Sequence, residues 1–338
     1  MPEIAPQPAP RTRSGFLGRV HDWLPDRVDL RVRIAAWISL ILEIAIVGTG
    51  GAVRLTDSGL GCEWPLCTPD SLFPTAAQSY HSLIEFGNRG LSFFVGLAAI
   101  AVIVLVSRMR AERRDLWIMS WIIFAGVLVQ AVVGGILVIF QLHPNMVAFH
   151  YLVSLVLVAV AAAFVVRMGQ PGGARERAVP KGVAILVHIT SFVLALTVIF
   201  GVLTTGAGPH SGDPAVTLRN GFDATILEHV HSWPAYALFA LTLTLLVIAL
   251  ANSLTAIRNA VIAVLAIELV QIAVGLYQAR NALPPLAVGV HMVLAAILVA
   301  ACTALVLQLK RPVAKTWPSA AGTEGAGATG TASATTRG

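Results

Sequence analysis

The chain is expected to be an all-α polytopic membrane protein. Its eight transmembrane helices should form two tandem four-helix bundles related by a pseudo-twofold axis along the membrane normal. Three observations predict this. First, the 338 residues are 57% hydrophobic and only 12% charged, about half the charge of an ordinary soluble domain. Second, apolar runs of about twenty residues recur, the length a helix needs to cross a ~30 Å hydrocarbon core. They fall at 34–53, 83–106, 116–138, 146–167, 183–203, 228–250, 258–279 and 286–308. Third, stretches of the first half reappear in the second. The short alternating segments of a transmembrane barrel are absent.

The formal net charge of +6 reflects topology. With the N-terminus inside, every basic residue except Arg54, Arg89, Arg219 and Arg280 falls in a cytoplasmic segment. Asp57, Glu63, Asp70, Glu85, Asp213, Asp223 and Glu228 gather at the outer face. This asymmetry puts both termini on the cytoplasmic side of a cell membrane, with lipid as the surrounding partner. It also argues against nucleic acid as a partner. Residues 1–30 lack the apolar region and cleavage site of a signal peptide, so none is expected. Residues 1–33 read as a largely disordered leader, 34–167 and 183–308 as the two bundles, and 168–182 as a cytoplasmic linker. Residues 309–338 read as a disordered tail, on Pro-rich or Ala/Gly/Thr-rich composition.

The internal repeat is specific. "LVQAVVG" at 128–134 resembles "LVQIAVG" at 269–275, and "VAFHYLVSL" at 147–155 resembles "VGVHMVLAA" at 288–296, both at an ungapped offset of 141 residues. "IEFGNR" (84–89) aligns with "LEHVHS" (227–232) at an offset two residues longer, pairing Glu85 with Glu228 and Asn88 with His231. Each half holds an even number of spans, so the halves point the same way across the membrane, and a ligand site in one predicts a related site in the other.

Nine histidines are present. His150, His231 and His291 each lie within one or two turns of the outer end of a helix that runs inward, roughly 5–10 Å below the interface at ~1.5 Å per residue. Imidazole inside a bundle marks a functional site by default, because an unpaired polar group in hydrocarbon is costly. One histidine from each of two facing helices can supply both axial ligands of a haem; zinc would want three or four compact ligands. His231 and His291 form such a pair. In the first half, Asn88 replaces the second histidine and leaves His150 as the one strong ligand, an asymmetry that suggests chemistry there. His81, two turns before Asn88, is a conceivable substitute at the helix mouth.

Glu85 shares a helix face with Asn88. It can form an i,i+4 ion pair with Arg89, worth a few tenths of a kcal/mol when exposed, or serve as a carboxylate beside an apolar cavity that stabilises developing positive charge. Glu43 and Glu268 lie deep in spans one and seven, with proton or structural roles open to them. Cys62 and Cys67 flank "EWPL" in the first outer loop. They can close a short disulfide in an oxidising compartment, with metal ligation the alternative. Cys302 reads as packing.

These residues resemble the haem A synthases over about residues 34–310. The likeness rests on "GGAVRLTDSGLGCEWPLC", "IEFGNR", "TGAGPHSGD", "LEHVHS" and the histidines opening spans four and eight. The resemblance implies an oxidoreductase that converts the C8 methyl group of haem O to a formyl group, making haem A for terminal oxidases. It implies haem b as cofactor on His231 and His291, and haem O as substrate in the first half. There His150 would be an iron ligand, Glu85 the catalytic acidic residue, and Asn88 and Arg89 pocket residues. It further implies a Cys62–Cys67 pair tied to redox supply or haem handling, with haem O synthase and oxidase-assembly factors as partners. Asn88 departs from the histidine many members carry. The rival reading is a non-enzymatic di-haem b electron carrier.

Overall fold

The computed structural model describes residues 15–313 apart from Ala77. Helix α1 (Phe16–Trp23) precedes α2 (Leu30–Leu55), α3 (Tyr80–Val106, prolonged by a 3-10 turn at Ser107–Met109), α4 (Arg114–Ile139) and α5 (Pro144–Met168). Strand β1 (Arg175–Arg177) leads to α6 (Lys181–Ala207), α7 (Ala224–Ala251), α8 (Thr255–Arg280), α9 (Pro285–Leu307) and strand β2 (Lys310–Pro312). The chain is an all-helical membrane protein, and among the described residues seven helices, α3 to α9, are long and apolar enough to cross a membrane. Eight spans were expected. The remaining long helix, α2, matches the others in length at 26 residues but carries Arg31, Arg33, Glu43 and Arg54.

Local chemistry sets the helix ends. The Asp29 and Asp223 carboxylates accept from the amides of Val32 and Ile226 at 3.1 and 3.0 Å, capping α2 and α7. Pro144 and Pro285 open α5 and α9, where a missing N–H costs nothing. The turns before these two helices are alike. Gln141 and Leu142 have φ of 50° and 56°, and Ala282 and Leu283 have φ of 56° and 57°. Two consecutive non-glycine residues in the left-handed region cost roughly 1–2 kcal/mol each. The amides of Leu142 and Leu283 offset this by closing the helix ends on the carbonyls of Leu137 and Gln278, at 2.8 and 2.9 Å.

Within the first half α2 packs on α3, α3 on α4 and α4 on α5; α6 to α9 repeat that order. Between the halves, α2 and α5 both pack on α9. The seam is lined with small residues: Ala296 of α9 is fully buried in one core cluster with Ala161 and Ala162 of α5, while Gly48 and Gly51 of α2 meet Val293 and Met292. Small side chains let helices approach closely where no hydrophobic effect drives them together. The outward faces carry exposed Trp37, Phe93, Leu128, Phe192 and Val247, as lipid-facing surface should.

Parts of two segments expected to be disordered hold regular structure among the described residues. The leader, expected to be largely disordered, holds α1 and the start of α2. The linker and the start of the tail pair as antiparallel strands, Arg175 with Pro312, Glu176 with Arg311 and Arg177 with Lys310. Arg311 Nε donates to Glu176 at 2.7 Å. Composition signals disorder only while a segment has no partner, and here each segment supplies the other's backbone hydrogen bonds. The tail beyond residue 313, and the leader before residue 15, lie outside the described residues.

Candidate functional site

In the second half, His231 of α7 and His291 of α9 face each other with ring centroids 6.3 Å apart and planes at 81°. His231 Nδ1 lies 2.9 Å from the carbonyl of Thr197 on α6. A carbonyl only accepts, so Nδ1 carries the proton and Nε2 is left as the ligating nitrogen, the arrangement that orients metal-bound imidazoles. A Cβ at Gly201 of α6 would stand 2.8 Å from His231 Cε1, and one at Gly275 of α8 would stand 3.3 Å from His291 Cε1. Both imidazoles are therefore backed by helix surface without side chains. The amide of Gln271 on α8 donates to the His291 carbonyl at 3.0 Å, and His291 Nδ1 is buried without a partner. Two imidazoles on facing helices, at this ring separation and with the tautomer of one set for ligation through Nε2, fit the axial positions of a haem. No three His, Cys, Asp or Glu side chains converge among the described residues, and a haem needs only two.

His150 of α5 has the same surroundings in the first half. Gln130 on α4 donates to the His150 carbonyl at 2.7 Å, Gly134 would set a Cβ 3.8 Å from its Cε1, and its Nδ1 is buried without a partner. The position across from it differs. Asn88 of α3 turns to α2, where its Oδ1 accepts from Thr49 Oγ1 at 2.7 Å. His81 is engaged elsewhere, 3.0 Å from Ser58 Oγ and stacked on Tyr80. His229 is exposed and bonds within its own helix to Thr225.

Glu85 is buried under the loop between α2 and α3. Its Oε2 accepts from the Cys62 amide at 2.7 Å and its Oε1 from Arg89 Nη2 at 2.6 Å. Arg89 also donates to the carbonyls of Glu63 and Cys62, at 2.8 and 3.3 Å. Cys62 and Cys67 are joined by a disulfide, which resolves the choice between disulfide and metal ligation. Gln78 and Ser82 bond the loop's backbone at Cys67 and Gly61, and Trp64 lies against Gly135 of α4. The expected Glu85–Arg89 pair is present. Because the carboxylate is buried, removing Arg89 would leave an uncompensated charge under the disulfide loop, at a cost of about 3–5 kcal/mol.

Of the two deep acids, Glu268 accepts from Thr242 at 2.9 Å and leaves its other oxygen unpaired, while Glu43 has one oxygen buried without a partner. Cys302 is buried in α9 beside Ser191. Gln130, Gln271, Thr197 and Gly201 were not assigned roles from sequence. The two glutamines were visible as the polar residues inside the repeated "LVQ" stretches.

These features define a class: an all-helical, multi-pass membrane protein with paired imidazoles between its helices near one face. More particularly, the chain belongs to the COX15-CtaA family, cytochrome oxidase assembly protein, whose pattern matches residues 33–303. It is similar to the "Heme A synthase" of Exiguobacterium sibiricum, 33% identical over 124 residues, covering 36% of this chain and 41% of the relative. The "Heme A synthase" of another Exiguobacterium is 33% identical over 124 residues, covering 36% and 40%. That of Symbiobacterium thermophilum is 32% identical over 123 residues, covering 36% and 39%. The chain thus spans about two fifths of the length of the curated relatives it matches. The family resemblance read from the motifs holds.

Proposed function

We propose that this protein is a haem A synthase, an oxidoreductase that converts the C8 methyl group of haem O to a formyl group. One observation carries the reading. The glutamine–histidine–glycine setting occurs in both halves, at Gln130, His150 and Gly134 and at Gln271, His291 and Gly275, yet only the second half completes a pair of imidazoles. A carrier of two equivalent haems needs both pairs. An enzyme needs one closed site for electron transfer and one open site for substrate.

In this proposal α2 is the eighth span and both termini are cytoplasmic. The halves 34–167 and 183–308 are related by a pseudo-twofold axis along the membrane normal. The matching turns at Gln141–Leu142 and Ala282–Leu283 and the shared packing order support that relation. His231 and His291 hold haem b, which supplies a one-electron redox centre when bound. His150 binds the iron of haem O, and Asn88, held by Thr49, leaves the opposite face without an imidazole. Arg89 and the Cys62 amide keep the Glu85 carboxylate oriented, so that it stands as a fixed negative charge beside the substrate pocket. There it stabilises positive charge developing at the methyl carbon over two successive two-electron oxidations; one water supplies the formyl oxygen, four protons leave to solvent and four electrons go to an external electron acceptor. Haem O synthase would deliver the substrate, and oxidase-assembly factors would receive the product.

The test is to express the chain with haem O present, extract the porphyrins and separate them by chromatography with mass detection. Wild type should yield haem b and haem A, and Glu85→Ala should retain haem b while accumulating haem O or its hydroxymethyl form. Unchanged haem A from the variant would remove Glu85 from the chemistry; two equivalents of haem b and no conversion would refute the synthase.

A further inference from the structure

Two guanidinium groups without a carboxylate partner, Arg54 and Arg219, converge on the turn that ends α6. Arg54, in the last turn of α2, donates from Nε to the His210 carbonyl at 2.9 Å and from Nη2 to the Thr205 carbonyl at 3.0 Å. Arg219 donates from Nε to the Gly208 carbonyl at 2.8 Å and from Nη2 to the Pro209 carbonyl at 2.9 Å. Both side chains therefore reach the same short stretch, 205–210, where α6 ends. Among the described residues neither forms a salt bridge. Arg219 also uses Nη1 on the Val216 and Leu218 carbonyls, whereas Arg54 Nη1 has no acceptor among the described residues. Carbonyl oxygens satisfy a guanidinium's hydrogen bonds without neutralising its charge. Two such charges flanking one partly buried turn favour an anion.

Two separate paths along the chain put Arg54 about one turn outside the histidine pair. On α6, Gly201 lies against the His231 ring, and Thr205, whose carbonyl Arg54 grips, is one turn further out. On α2, Gly51 lies against Met292, the neighbour of His291, and Arg54 is three residues further out. One helical turn is ~5.4 Å, the scale on which a porphyrin's carboxylate-bearing edge stands off its centre.

We infer that Arg54, backed by Arg219, is the carboxylate-binding end of the second-half haem site and holds a propionate of the porphyrin between His231 and His291. The inference rests on the haem-binding reading above. It makes the site a composite: the first half supplies a ligand-binding residue to the cofactor of the second, and Arg54 pins that half's outer loop as it does so.

The test reconstitutes purified apoprotein with haem and with haem dimethyl ester, whose propionates are blocked, and follows Soret absorption. Wild type should bind the free acid about tenfold to a hundredfold more tightly than the ester, the range of a hydrogen bond to a charged group. Arg54→Gln should abolish that preference and Arg54→Lys should keep part of it. A purely structural arginine would weaken both porphyrins equally and leave the preference intact, which would overturn the inference. Equal binding of acid and ester by wild type overturns it without any variant. His231→Ala separates the two levels of failure. If it abolishes the spectrum of bound haem while acid and ester bind wild type alike, only the propionate site falls. If wild type takes up neither porphyrin, the haem reading falls with it.

Discussion

The Tyr151 hydroxyl donates to the backbone carbonyl of Met292 at 3.2 Å, joining residues 141 positions apart. The same offset separates His150 from His291, so Tyr151 and Met292 are counterparts under the repeat. Counterparts can touch only where the halves meet. This bond therefore lies at the seam where α5 packs on α9, and it ties the residue after one histidine to the residue after the other.

Tyr151→Phe should cost about 0.6 kcal/mol and no more than ~1.7, the average and the maximum found for single hydrogen bonds between membrane helices. Thermal unfolding in detergent should show a small drop in Tm with the spectrum of bound haem unchanged. A loss of haem from this variant would mean that the seam positions the histidines as well as joining the halves.

Gly201 and Gly134 make a matched pair of substitutions. A Cβ at Gly201 would press on the His231 ring at 2.8 Å, while one at Gly134 would make ordinary contact with His150 at 3.8 Å. Gly201→Ala should displace the imidazole at a cost of about 1–3 kcal/mol and convert low-spin haem b to a weakly ligated form, seen by absorption and electron paramagnetic resonance. Gly134→Ala should leave both spectra unchanged.

Asn88→His supplies the first half with the imidazole it lacks. With haem O present, this variant should show a second low-spin signal and reduced haem A formation, because the open face of the substrate iron would be filled. Unchanged spectra would mean that Asn88 does not face the iron.

The two roles of Glu85 can be separated. Arg89→Ala leaves the buried carboxylate with only the Cys62 amide. Breaking such a pair costs about 3–5 kcal/mol, so hydrogen exchange across residues 61–71 should rise. Glu85→Gln keeps an oxygen for the Cys62 amide and removes the charge. Its NH2 then faces Arg89, which keeps the Glu63 and Cys62 carbonyls, so the loop should loosen less than in Arg89→Ala while haem A formation fails. Activity in Glu85→Gln at the wild-type level would assign Glu85 to the loop alone.

The long helices were legible because hydropathy reports directly on them. Their ends extend a few residues past the apolar runs where Asp29, Asp223, Pro144 and Pro285 start the backbone earlier than lipid requires. The repeat, and with it the related settings of His150 and His291, could be read from the shared offset. The bond from Gln130 and Gln271 to the histidine carbonyls could not, since an apolar run containing one glutamine is equally consistent with that side chain facing any neighbour. Glu85 presented two alternatives; the structure forms the ion pair, and the tie to the Cys62 amide, 23 residues earlier in the chain, makes that pair also hold the disulfide loop. The strands at 175–177 and 310–312 are too short to show any period.

By itself, the sequence determined that this chain folds as membrane helices, roughly where they run, and which polar residues they carry. In lipid each helix must satisfy its own backbone, so helix formation is a local property that composition records. Tertiary structure alone decided which faces meet: that His231 looks at His291, that Asn88 turns to Thr49, and that Arg54 crosses to the other half. Those outcomes depend on the rotation of each helix about its axis and the closeness of its neighbours. Packing among small residues such as Gly51, Gly201 and Ala296 sets both, and hydropathy carries no record of it.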